Sequence, residues 1–144
     1  MIEQDTVRLL RECDAGVKMG ISSIDDVLDK VTSKELRRLL AQCKESHIKL
    51  NSEIQTKLTE FDDEGKEPDM MAKGMSWIKT NVKMAVDHSD ETIADLMTDG
   101  CNMGVKSLHK YLNQYKAADE GSKRVTKKLI DLEEKLVMDM KRFL

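Results

Sequence analysis

Five side chains in this sequence carry metal-ligand or acid–base chemistry at positions that a helical pattern buries: Asp14, Cys43, His47, Cys101 and Glu133. In the first segment the apolar repeat runs through positions 7, 10, 14, 17, 21, 24, 28 and 31, and all are aliphatic except Asp14. A carboxylate therefore faces the core, where an unpaired charge is rare. The second segment repeats at 36, 40, 43, 47, 50 and 54, placing Cys43 and His47 one turn apart on the buried face. A hairpin folded about residue 31 puts Asp14 and His47 at similar heights, so that they touch. Cys101 stands on the seam of a third long segment, and Glu133 lies about 40° from the centre of the last stripe by helical-wheel counting. Folding about residue 118 brings these two within about one helical turn of each other.

Thiolate, imidazole and carboxylate together suit one zinc, copper or iron ion. Cys43, His47 and Cys101 would be its principal ligands, with Asp14 and Glu133 beside or behind them. The competing expectation is packing and pairing, since a buried cysteine serves as a small hydrophobe and an Asp14–His47 hydrogen bond would fix helix register. Cys13, next to the seam, is either a supporting group or inert. His88, beside the cap at Ser89, and His109, on the outer side of its helix, are expected in solvent. Gly16, Gly20, Gly100 and Gly104 sit inside helical patterns, where each costs up to about 1 kcal/mol relative to Ala. Close helix approach beside the polar layer would offset that cost.

The elements that must position these residues follow from periodicity. Apolar residues at spacings of three and four predict a first helix over about 4 to 30. Thr32 with Glu35 reads as a capping box opening a second helix, whose seam runs from Leu36 to Phe61. The stretch DDEGKEPD, 62 to 69, reads as a linker. A short helix over 70 to 86 follows, carrying Met71, Met75, Ile78, Val82 and Val86 on one face and Met70, Trp77 and Met84 on another. Ser89 caps a third long helix, and a break at 117 to 121 leads into the last, striped by Val125, Leu129, Leu132, Leu136, Met140 and Phe143. The prediction is all-α: an antiparallel four-helix bundle with a short additional helix between the second and third long helices, in one domain over 1 to 144.

Composition supports this plan. The chain is 40% hydrophobic and 35% charged, with one proline among 144 residues. Only 3% is aromatic, so Leu, Ile, Val and ten Met must fill the core. A net charge of −3 lacks the basic surplus that phosphate binding needs, so nucleic acid is excluded as an expected partner. No apolar run approaches the roughly 20 residues of a membrane span, and no signal-peptide pattern opens the chain, so no membrane association and a cytoplasmic location are expected. Three widely spaced cysteines are an odd number, which argues for reduced thiols rather than a disulfide framework.

These residues resemble the ferritin-like superfamily, related to rubrerythrin and ferritin, in which four helices hold a di-iron centre through glutamates and Glu-x-x-His motifs. The layout is similar to an uncharacterised bacterial subgroup with a short crossover helix. There a turn like EGKEPD precedes a Trp-containing helix like MAKGMSWIKTNVKMAV and then a glycine-containing motif like TDGCNMG. The resemblance implies Asp14 at the first carboxylate position, His47 at the second-helix histidine, and Cys43 near its carboxylate partner. It further implies Cys101 at the third-helix glutamate and Glu133 or Glu134 at the fourth-helix carboxylate. No Glu-x-x-His occurs, Lys44 stands three before His47, and the last helix has no histidine, so a di-iron oxidoreductase is disfavoured.

Two functions are expected from the sequence. One is a non-catalytic bundle acting through self-association as a homodimer, or through a protein partner, with Met70, Trp77 and Met84 as the interface. The other is a metal-binding storage or sensor protein using the Cys/His/Asp site. No phosphate-cradling loop and no Ser-His-Asp spacing suggests another enzyme class.

Overall fold

The computed structural model describes residues 2–66 and 89–144, and among them it is helical with no strand. Four helices, α1 (Ile2–Leu28), α2 (Lys34–Glu60), α3 (Asp90–Gln114) and α4 (Glu120–Met140), pack against each other, and a 3-10 turn over Lys141–Phe143 follows. The expected short helix over 70 to 86, with its Met70, Trp77 and Met84 stripe, lies outside the described residues, as does His88. Among the described residues no helix is long and apolar enough to cross a membrane.

Helix starts are set by side-chain caps. Ser33, Ser89 and Asp119 each accept a backbone N–H from the first turn, at Leu36, Thr92 and Ser122. The cap of α2 is thus Ser33 and not the expected Thr32. Thr32 is drawn away because its N–H and hydroxyl both donate to Asp90, at 2.9 and 2.8 Å. Glu35 pairs instead with Arg38 and Arg142. Asp90 also accepts the Ser33 N–H at 2.8 Å, which ties the start of α3 to the α1–α2 link.

α1 packs most extensively on α2, and α3 on α4. Asp25 pairs with Lys44 at 2.5 Å, and Gln55 donates to Asp14 at 2.5 Å, so the midpoint of both pairs falls between residues 34 and 35 rather than at 31. The core has two apolar halves. One gathers Ile24, Val27, Leu36, Leu40, Met97 and Leu136, and the other Leu10, Val17, Leu50, Ile54, Leu108 and Leu129. Each buried Leu or Ile contributes about 1.5–3 kcal/mol. Along α2 and α4 the residues between the halves are His47 and Glu133, so a polar layer separates them.

Candidate functional site

The polar layer is assembled from three helices, with a glycine of the fourth making room. His47, on the buried face of α2, is 1% exposed, and Glu133 on α4 is 9% exposed. His47 Nε2 lies 3.2 Å from Glu133 Oε1, and Nδ1 lies 2.8 Å from the carbonyl oxygen of Cys43, one turn back. The carbonyl can only accept, so Nδ1 carries a proton, and wherever Glu133 is a carboxylate Nε2 donates to it as well, which makes the ring an imidazolium. Burial alone would lower the His47 pKa. The hydrogen bonds and charges of Cys43 and Glu133 outweigh it and push the value up to about 10. The Cys43 sulfur stands 3.5 Å from Nδ1.

Cys101 of α3, 4% exposed, completes the layer beside Glu133. Burial, then the charge and hydrogen bonding of Glu133, raise its pKa far above the ordinary thiol range, so it is a thiol that donates to the carboxylate. Glu133 thus receives one donor from α2 and one from α3. Gly20 of α1 faces the His47 ring so closely that a Cβ there would sit 2.8 Å from both Cδ2 and Nε2. The cost of this mid-helix glycine is offset by the space the ring needs. At Gly16 and Gly104 a Cβ would make ordinary contact, 3.5 Å from Leu129 and 3.8 Å from Glu133.

Asp14 does not join this layer, which corrects the expected Asp14–His47 contact. The α1–α2 pairs centre a few residues later than 31, and each residue of shift in that centre moves a cross-helix partner by two, or about 3 Å. Asp14, fully buried, accepts instead from Gln55 at 2.5 Å, Lys18 Nζ at 3.0 Å and the backbone N–H of Lys66 at 2.9 Å. It ties the chain leaving α2 onto α1, helped by Gly65 at φ 90°. Cys13 is also on the core face rather than beside it, at 0% exposure. Its sulfur lies 3.1 Å from the Thr126 hydroxyl, which donates onward to the Ser122 carbonyl, and burial pushes the thiol up to about 12.

The five expected residues therefore divide. Cys43, His47, Cys101 and Glu133 meet in one layer, while Asp14 stands apart at its own site. Among the described residues no group of three or more His, Cys, Asp and Glu side chains is disposed to hold one metal ion. In the layer the imidazolium, thiol and carboxylate satisfy one another. Sequence reasoning missed Gln55, Thr126 and the backbone of Lys66 as partners, and no periodic signal marks them. Gly20 was singled out in the sequence with Gly16, Gly100 and Gly104 as an interior glycine suited to close approach beside the polar layer, and it is the one that faces His47. His109 is exposed, as expected.

No model of a known protein family, no curated protein and no solved structure matches this chain.

Proposed function

We propose that this chain is a non-catalytic helical-bundle protein, ferritin-like in arrangement, that acts by association with a second copy of itself. The observation that carries this reading is a groove of about 350 Å³ between α1 and α3. Gly16 and Gly20 on one side and Gly100, Gly104 and Ser107 on the other keep its walls low, and Met97 and Leu108 line it. Met103, 53% exposed, stands at its rim. A rim methionine and a groove on one surface suit a two-fold contact, in which each copy inserts what the other receives.

The ferritin-like, antiparallel arrangement is supported by the Asp25–Lys44 and Asp14–Gln55 pairs, whose numbers rise on α1 as they fall on α2. It is supported too by a polar layer drawn from the middle of α2, α3 and α4. The non-catalytic reading rests on the pairing within that layer, where each acid, base and thiol of the core is engaged by a neighbour. Sedimentation velocity over a range of concentrations tests the proposal. The wild type is expected as a dimer and Met103→Glu, a surface change, as a monomer. A wild type that stays monomeric at every concentration overturns it.

A further inference from the structure

On the opposite side of the polar layer from α1, a second groove of about 540 Å³ runs between α2 and α4. Cys43 lines it and is partly exposed, whereas Cys13 and Cys101 are buried. Arg38, Lys49 and Lys135 stand around this groove with Glu45 and Asp139. Behind the Cys43 sulfur, 3.5 Å away, is Nδ1 of His47, and Nε2 of the same ring is held by Glu133 at 3.2 Å. A thiol, an imidazole beside it, and a third group orienting that imidazole form the constellation that activates a nucleophile.

We propose that Cys43 is the reactive thiol of this protein, a site of covalent modification by small soft electrophiles, with hydroperoxides as the ligand class. The sulfur attacks the terminal peroxide oxygen. An S–O bond forms, the O–O bond breaks, and the departing oxygen takes up a proton, so that thiol plus hydroperoxide become sulfenic acid plus alcohol, or water from hydrogen peroxide. Sulfur is oxidised and the peroxide reduced, and no further reagent is needed. His47 does not touch the peroxide in this scheme. It is a positioning residue whose ring stands 3.5 Å from the sulfur, and Glu133 keeps that ring in place. The reaction is stoichiometric, a modification, and independent of the association through α1 and α3.

The test treats the folded full chain with hydrogen peroxide, traps sulfenic acid with dimedone, and locates the label by peptide mass. In parallel, iodoacetamide measures the second-order rate at each cysteine. The expected result is label confined to Cys43, abolished in Cys43→Ser, and alkylation of Cys43 faster than that of free cysteine at the same pH despite its partial burial. A folded His47→Gln is expected to slow Cys43 by about tenfold. If that variant does not fold, the comparison of wild-type Cys43 with free cysteine decides alone. Label spread over Cys13 and Cys101, a Cys43 rate no greater than that of free cysteine, or an unchanged rate in folded His47→Gln overturns the proposal.

Discussion

Gly20→Ala ought to destabilise this protein, although helix propensity says the reverse. Replacing an interior helical glycine by alanine gains up to about 1 kcal/mol. Here the new methyl group would stand 2.8 Å from two atoms of the His47 ring, against an ordinary contact of about 3.5–4.0 Å. The ring must retreat by roughly 0.7–1.2 Å to restore such a contact. It is held at both ends, by the Cys43 carbonyl at 2.8 Å and by Glu133 at 3.2 Å, so the retreat carries the longer bond beyond hydrogen-bonding distance. Loss of a charged hydrogen bond costs about 1.5–3 kcal/mol, which against the full propensity gain leaves a net destabilisation of about 0.5–2 kcal/mol. For a domain of this length that is a fall in Tm of roughly 2–8 °C. Gly16→Ala is the matched control, since its methyl meets Leu129 at an ordinary 3.5 Å and should stabilise by up to about 1 kcal/mol. Urea unfolding followed by circular dichroism measures both. A Gly20→Ala protein as stable as the wild type would refute the claim that the glycine exists to admit the ring.

Other consequences are open to the same instruments. Glu133→Leu strands the imidazolium and should cost about 3–5 kcal/mol, while His47→Leu/Glu133→Leu should recover most of that loss, because apolar replacement of a whole buried pair is often neutral. The folded pKa of His47, about 10, lies above its ordinary 6.5, so the associated stability is complete below pH 6.5 and lost as pH rises to about 10. Urea midpoints should fall across that window by an amount on the order of a few kcal/mol, and the fall should vanish in the double leucine variant. Gly65→Ala places a side chain at φ 90° and against the Asp14 carboxylate, and a loss of about 2–4 kcal/mol is expected in the same unfolding assay. Elemental analysis of protein purified without chelator should return well under one metal atom per chain, since no ligand group of three forms among the described residues.

Much of this arrangement can be read from the sequence, and the reasons it stops are physical. The stripes through Val17, Ile24, Leu40, Leu50 and Leu129 announce helices because burial imposes a 3.6-residue period, and all five are buried. Cys43, His47, Cys101 and Glu133 were singled out by the same period, being polar where the stripe demanded apolar. Which of them meet depends on where the chain turns, and that is decided by competition among Thr32, Ser33 and Asp90 across a long separation. Asp90 takes the Thr32 hydroxyl, Ser33 becomes the cap, and Asp14 finds Gln55 instead of His47. Glu133, at the edge of its stripe on a helical wheel, proves to be the centre of the layer because its long side chain reaches inward from that edge.

The central claim is that the polar core is a self-neutralised layer built on a protonated His47. Its most direct test is the nitrogen-15 spectrum of the histidine rings at pH 8 in uniformly labelled protein, with His47 assigned by its loss in His47→Gln. Both ring nitrogens of His47 are predicted to be protonated there. A His47 ring with one bare nitrogen at pH 8 would contradict the account.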